Sequence, residues 1–314
     1  MRCLVTGGAG FIASHIVDNL QRMGIEVRVF DLKRSDYAPE CDHFIGSILD
    51  LEALRLAMNG VHAVFHLAAI ADVKDVHDGP VYSENINVRG TISVLEAARR
   101  AGVERVIYGS TTWVYSDAKG DVVDEETLIP PPTHLYTATK LTGEYYCRSY
   151  SELYGLDYTI FRYGIPYGPR ARDGAVIPIF VGKALRGEPL TIAGDGLQFR
   201  KFVYVEDLAE GNVFGLKPVA KNRVYNLDGV RKVTIKEIAE TIQNVLGDVK
   251  IEYVEGRPGD FTGKEVSSVR AKEELNWEAK TSFEEGVRRY IDWYKNREDK
   301  RKEEWDRVDE VLKS

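Results

Sequence analysis

Val5-Thr6-Gly7-Gly8-Ala9-Gly10-Phe11-Ile12-Ala13 joins the first apolar run of the chain to its first amphipathic stretch. Arg2–Thr6 reads as a strand. Phe11–Met23 reads as a helix whose Phe11, Ile12, Ile16 and Leu20 form one apolar stripe, closed by Gly24. Between them, Gly7, Gly10 and the small Ala13 are spaced three apart. Glycines here permit a tight turn and let the backbone approach a pyrophosphate, and a small third residue keeps the helix close to the sheet. The open amides at the helix start then face the phosphates. Any strand-to-helix turn can use a glycine, so the surrounding pattern decides what this one means.

That pattern repeats. Glu26–Asp31, Ala63–Leu67, Arg105–Tyr108 and Tyr158–Arg162 read as strands. Leu51–Met58, Asn87–Arg100 and Tyr136–Tyr154 read as helices, closed by Asn59-Gly60, Ala101-Gly102 and Gly155. The alternation implies an α/β fold: a Rossmann-type doubly wound parallel sheet, with its ligand beyond the carboxyl ends of the strands. After Gly168-Pro169 glycine and proline become frequent and the helical stretches shorten to Gly182–Gly187, Asp207–Leu216 and Lys236–Leu246. This reads as a smaller α/β substrate-binding lobe. The expected division puts 1–166 and about 202–227 in the dinucleotide-binding domain, with about 167–201 and 228–294 in the lobe. Residues 295–314 are left as a charged C-terminal helix or tail, on which Trp305, Val308 and Leu312 would share a stripe.

Asp31 ends the second strand, where a carboxylate can accept from both ribose hydroxyls and would repel a 2′-phosphate; this favours NAD over NADP. Lys33 and Arg34, cations that a 2′-phosphate could use, follow closely. Further on, Tyr136 and Lys140 stand four apart, on one face of a helix. A free phenol titrates near about 10, and a close ammonium favours its ionised form. Tyr136 could then remove a hydroxyl proton as hydride leaves the same carbon. Such pairs arise by chance on many helices. This one gains weight by following a dinucleotide turn and the run Ser110-Thr111-Thr112.

The composition is that of a globular protein: 314 residues, 44% hydrophobic and 29% charged. A formal net charge of −7 argues against a nucleic-acid partner. It still admits a small anionic ligand, which needs only a few local cations and helix N-termini. No apolar span is long enough to cross a bilayer and no charged leader precedes the first strand, so no membrane is expected and the compartment is cytoplasmic. Cys3, Cys41 and Cys147 match no metal or redox spacing, and Cys3 reads as a buried small hydrophobe. His62 and His66 would share a strand face, but no third ligand completes a site, so no metal is expected.

Several further stretches join these motifs: His66-Leu67-Ala68-Ala69, Asn87-Val88-Arg89-Gly90-Thr91, Arg162-Tyr163 leading to Tyr167-Gly168-Pro169, Gly194-Asp195-Gly196 through Arg200 to Val205, and Arg257-Pro258-Gly259-Asp260. With them the chain resembles the extended short-chain dehydrogenase/reductase superfamily and, within it, the nucleotide-sugar epimerases of the UDP-glucose/UDP-galactose 4-epimerase kind. The resemblance runs from Met1 to about Tyr294. It implies catalysis by Thr111, Tyr136 and Lys140, with Thr111 as hydroxyl partner of the tyrosine. It implies an NAD site in which Gly7, Gly10, Phe11 and Ile12 meet the phosphates, Asp31 the ribose, and Ser47 and Ile48 the adenine. Leu67, Ala68 and Ala69 would line the pyrophosphate and ribose, Asn87 and Ser110 would help hold the cofactor, and Tyr163 would lie near the nicotinamide. Arg200 and Arg257 would clamp the diphosphate of a nucleotide-sugar substrate, Asp260 would contact its ribose, and Val176 would also touch the substrate. A homodimer through the Asn87–Arg100 and Tyr136–Tyr154 helices is implied as well.

The implied reaction is C4 epimerisation through a 4-keto intermediate, on UDP-glucose/UDP-galactose or a UDP-hexose relative such as UDP-glucuronate. Departures from the pattern concern the substrate. Many relatives have Arg-Tyr-Phe-Asn where this chain has Arg162-Tyr163-Gly164-Ile165, Ser47 stands where an Asp usually reads the adenine, and Ala71 where a Lys is sometimes found. Dehydratases and decarboxylases of this kind carry carboxylates beside the catalytic threonine, whereas this chain has Thr112-Trp113. A 4-ketosugar reductase uses the same three catalytic residues but usually draws on NADPH, against Asp31. A non-catalytic NAD sensor would be expected to lack Tyr136 or Lys140, and both are present.

Overall fold

The computed structural model describes residues 1–255 and 264–297. Its large sheet has seven strands: β1 (Arg2–Thr6), β2 (Glu26–Asp31), β3 (Asp42–Ile45), β4 (Ala63–His66), β5 (Arg105–Thr111), β6 (Asp157–Tyr163) and β7 (Arg223–Leu227). All pair in parallel, in the order β3-β2-β1-β4-β5-β6-β7. The direction of winding reverses between β1 and β4, and a crevice opens there at the carboxyl ends of the strands. Five helices cover the sheet: α1 (Phe11–Arg22), α2 (Leu51–Ala57), α3 (Gly90–Ala101), α4 (Leu135–Tyr154) and α5 (Val205–Val213).

Two-residue alternation sorts the strand side chains between two cores. Cys3, Val5, Val29 and Phe65 pack with Ile16 and Leu20 of α1 and with Leu208 and Val213 of α5. Leu4, Phe30, Val64 and Val106 pack with Leu54 of α2, Val94 and Leu95 of α3, and Cys147 of α4. Both faces are therefore apolar, which is why the strands read as near-continuous hydrophobic runs. All three cysteines are free and buried, and burial pushes the Cys3 thiol up to about 12.

The structure differs from the sequence reading in four places. β3 and β7 carry no clear signal: β3 is short and only half-buried, and β7 lies within the glycine-rich part of the chain. β5 continues past its apolar run to Thr111, which brings Gly109, Ser110 and Thr111 to the crevice. The helix expected from Asn87 begins earlier, at Pro80, and passes through a wide turn, Asn85–Arg89, into α3. Phe199–Tyr204 pairs with Ile165–Tyr167 and Lys232–Thr234 in a separate sheet, so the return to the large sheet begins at α5 rather than near residue 202.

That three-stranded sheet belongs to the smaller lobe, with the pair Leu190–Ala193 and Ile251–Val254 and the helices Val176–Leu185, Ile235–Leu246 and 283–297. Its core gathers Tyr167, Phe180, Ile192, Ile238, Val287 and Tyr290. The lobe is pinned back onto the large sheet by Ala271, Leu275 and Trp277, which join the α1–α5 core; Trp277 Nε1 donates to the Asp207 carbonyl at 2.9 Å. The stripe at Trp305, Val308 and Leu312 lies outside the described residues. Among the described residues, no helix is long and apolar enough to cross a membrane.

A buried ion pair ties α4 to the sheet. Arg162 of β6 donates from Nη2 to Glu144 Oε2 at 2.7 Å and from Nε to Oε1 at 3.0 Å, with the two side chains 3% and 1% exposed. Ser110 Oγ donates to Glu144 Oε1 at 2.6 Å, Arg162 Nη1 donates to Tyr115 Oη at 2.6 Å, and Tyr115 Oη donates to Asn226 Oδ1 at 3.0 Å. Removing one charge from such a pair strands the other in a low dielectric. Glu144→Gln is expected to lower the unfolding free energy by about 3 kcal/mol, read as a lower urea midpoint, and an unchanged midpoint would contradict this account of the pair.

Candidate active site

A cavity of about 650 Å³ occupies the crevice and extends to the smaller lobe, within the range of small-molecule sites. Gly7 turns the chain out of β1 with φ +69°, and a Cβ there would lie 2.8 Å from the Ala68 Cα and N. The turn and the segment after β4 therefore pack backbone to backbone, which only glycine allows. α1 follows Gly10 without a side-chain cap; Gly10 N donates to Gly7 O at 2.9 Å, and the first-turn amides of Phe11, Ile12 and Ala13, all on the cavity wall, are left open. Asp31 lines the same end, its carboxylate held by Ala9 N at 3.0 Å and Leu32 N at 2.7 Å. Lys33 and Arg34 are not on the wall. Open amides, a glycine contact and a pinned carboxylate without a neighbouring cation suit a dinucleotide that lacks a 2′-phosphate.

Of the residues singled out in the sequence, Gly7, Gly10, Phe11, Ile12, Asp31, Ser47, Ile48, Leu67, Ala68, Ala69, Ser110, Thr111, Tyr136, Lys140 and Tyr163 line this one cavity. Asn87 does not. It is buried behind the wall, where its amide accepts from Ile70 N at 2.8 Å and donates to Ile70 O at 3.0 Å and Thr139 Oγ1 at 3.1 Å. It thus braces the loop after β4 against α4 rather than facing a ligand, and the wide turn at Asn85–Arg89 directs it inward. Val176 packs against the lobe core, and the wall is formed by Ala175 before it. Arg200 lines a smaller side cavity instead. Arg257 and Asp260 lie outside the described residues. The sequence reading missed Arg172 and Asp72, which line the cavity from its two sides and pair at 2.5 Å; no motif marks either of them.

The end of the cavity lined by Thr111, Tyr136, Lys140 and Tyr163 is built by β5, β6 and α4. Thr111 stands opposite Tyr163 in register. Its Oγ1 accepts from Trp113 N at 3.2 Å, a local turn bond that leaves the hydroxyl proton for another partner. Tyr163 Oη donates to Asn212 Oδ1 at 2.5 Å, which fixes its ring against Gly109. Burial pushes the Tyr136 phenol up to about 12, with the Arg172 guanidinium pulling the other way. The Lys140 ammonium lies 4.4 Å from the centre of the Tyr108 ring. Burial lowers Lys140 itself to about 8, with Cys147 and Glu144 opposing.

His66 beneath this end is held neutral. Burial, with help from Lys140, lowers it to about 3. Thr91 Oγ1 donates to Asn87 O at 2.6 Å and so accepts from His66 Nε2 at 3.0 Å; His66 Nδ1 then accepts from Thr6 Oγ1 at 2.8 Å. The histidine is thus a cross-brace between β1, β4 and α3. Among the described residues, no group of His, Cys, Asp and Glu could hold a metal ion.

Residues 3–228 match the NAD dependent epimerase/dehydratase family. A curated relative, a putative UDP-glucose 4-epimerase of Methanocaldococcus jannaschii, is 33% identical over 93% of this chain and 98% of its own. The UDP-glucose 4-epimerase of Thermotoga maritima, solved with UDP-glucose, superposes with a TM-score of 0.88 at 33% identity, covering 94% of this chain and 99% of that one. The Thermus thermophilus UDP-glucose 4-epimerase, solved with NAD, gives 0.82 at 32% identity over 94% and 99%. Relatives of similar identity include decarboxylases and dehydratases. The chain belongs to the NAD dependent epimerase/dehydratase family, within the extended short-chain dehydrogenases/reductases. It is an NAD-dependent enzyme that modifies nucleotide sugars.

Gly7→Ala is expected to weaken NAD binding about tenfold or more, because its Cβ would meet the Ala68 backbone at 2.8 Å and the turn can relieve that contact, and a left-handed strain of roughly 1–2 kcal/mol, only by moving away from the phosphate-binding position. Titration of the purified variant with NAD checks this, and wild-type affinity would contradict it.

Proposed function

We propose that this enzyme epimerises a nucleotide sugar at C4 through a 4-keto intermediate, with UDP-glucose/UDP-galactose or a UDP-hexose such as UDP-glucuronate as substrate. The carrying observation is that Thr111, Tyr136 and Lys140 share one end of the cavity while Thr112 and Trp113, neither of them acidic, follow the threonine. Elimination of water across two carbons needs an acid and a base there. Oxidation and reduction at one carbon need only a proton carrier.

In this reading the large-sheet domain holds NAD and the smaller lobe holds the nucleotide sugar. Bound NAD supplies the hydride acceptor and donor and a cationic ring that favours a nearby phenolate. Tyr136 Oη takes the proton of the sugar 4-hydroxyl, and Thr111 Oγ1 donates to the same oxygen. Lys140, still largely cationic near neutrality, binds the nicotinamide ribose. Arg200 and Arg257 hold the diphosphate, so the keto sugar can turn over without leaving, and Tyr136 returns its proton on the other face.

Tyr136→Phe is expected to lower kcat for interconversion of the 4-epimers about 10²–10⁴-fold with NAD binding retained. Turnover at the parent rate would exclude Tyr136 as the proton carrier.

A homodimer through α3 and α4 is part of the same proposal. Tyr145, Leu153 and Tyr154 of α4 are more than half exposed, an apolar surface that a second copy would cover. Light scattering should then report twice the 35.4 kDa of one chain, and a monomer at micromolar concentration would remove this part.

A further inference from the structure

A side cavity of about 50 Å³ opens where the large sheet meets the smaller lobe. Trp113 and Ile165 line both this cavity and the NAD cavity, so the two spaces adjoin across those side chains. Asp228 is the one carboxylate on its wall among the described residues. It follows β7 directly, and β5, β6 and β7 end in register, with Thr111 opposite Tyr163 and Tyr163 opposite Leu227. One residue further, Thr112, Gly164 and Asp228 stand along the same sheet edge.

Gly164 makes room for the carboxyl group. A Cβ on Gly164 would lie 2.1 Å from Asp228 Oδ1, so the Asp228 side chain already occupies the space that any side chain at position 164 would need. It thus lies across the edge of β6 against Gly164, which itself lines the NAD cavity. The chain's departure from Arg-Tyr-Phe-Asn at Gly164 leaves this space open.

The surroundings of Asp228 are those of a recognition group rather than of a structural ion pair. It is only 4% exposed, and its Oδ1 accepts from Gly229 N at 2.8 Å. The charged groups near it come from two elements. Lys201 favours its ionised form but already donates to Val266 O at 3.1 Å; Glu265 opposes ionisation and is paired with Lys232 at 2.9 Å. Arg200 and Lys264 also line the cavity, and Lys264 donates to Gly120 O at 2.9 Å. Burial outweighs these charges and raises the carboxyl to about 7. Among the described residues Asp228 has no salt-bridge partner, and a buried carboxyl so placed is unfavourable unless it has another use.

We infer that Asp228 is a specificity-determining residue of the sugar subsite, accepting a hydrogen bond from a hydroxyl of the pyranose held beside Thr111 and Tyr136. This rests on the nucleotide-sugar reading proposed above. A carboxylate is the stronger hydroxyl acceptor, so KM for the nucleotide sugar should fall as pH rises through the titration of Asp228.

The test is the isosteric substitution Asp228→Asn in the full chain, with NAD saturating and the nucleotide sugar that the parent turns over best. The expected results are a KM raised about tenfold, the size of one charge-assisted hydrogen bond, a kcat within about twofold of the parent, and loss of the pH dependence of KM near neutrality. Binding of UDP alone should not move, because it does not involve the sugar, and the melting temperature should not fall, because the substitution removes a buried charge rather than a structural partner. An unchanged KM and pH profile in an active enzyme would overturn this inference alone, as would an equal loss of UDP affinity or a fall in melting temperature. Failure of the parent to turn over any nucleotide sugar would instead overturn the reading beneath it.

Discussion

The geometry of the site depends on the buried pair of Glu144 and Arg162. Tyr136, Lys140 and Glu144 recur every four residues along α4, so one helix face carries the Tyr136–Lys140 pair at its start and the anchor two turns later. Burying two charges is unfavourable by several kcal/mol per ion. It is tolerated here because the guanidinium donates to both carboxylate oxygens and to Tyr115, and Ser110 donates to the carboxylate as well. The pair thereby joins α4 to β5 and β6, the strands that end in Thr111 and Tyr163. A shift of α4 along the sheet would break these bonds together, and the position of Tyr136 relative to Thr111 follows from them.

Around that anchor, burial governs the electrostatics more than any single charge partner does. His66 is pulled down to about 3, Lys140 down to about 8 and Tyr136 up to about 12, each with desolvation as the largest cause. Each is shifted toward its neutral form. A site of this kind responds strongly to a charge brought into it, because fields are weakly screened there. The cation that activates the phenol in the proposed reaction is accordingly the bound nicotinamide ring as much as Lys140, whose ammonium faces Tyr108.

Much of this was legible in the sequence because it rests on local rules. The Gly7–Ala13 turn, the apolar strands and the glycines that end α3 and α4 each declare themselves within a few residues. Properties set by packing between distant segments were not legible. β3 and β7 are held by their neighbours rather than by their own patterns, and the role of Asn87 depends on a turn that directs its amide to Ile70 and Thr139. The direction of the Tyr136 shift depends on how deeply its helix is seated. Asp228 and Gly164 are 64 residues apart, and only the meeting of β6 and β7 shows that one accommodates the other.

The central claim is that chemistry at this site begins and ends at one carbon. The most direct measurement is to incubate the purified enzyme in D₂O with UDP-galactose, UDP-glucuronate and their N-acetyl relatives, adding no cofactor, and to follow the sugars by NMR. The account predicts interconversion of one 4-epimer pair with no deuterium entering any carbon position, because the hydrogen removed from C4 is the one returned. Release of carbon dioxide, a 4-keto-6-deoxy product, or deuterium at C5 would contradict it.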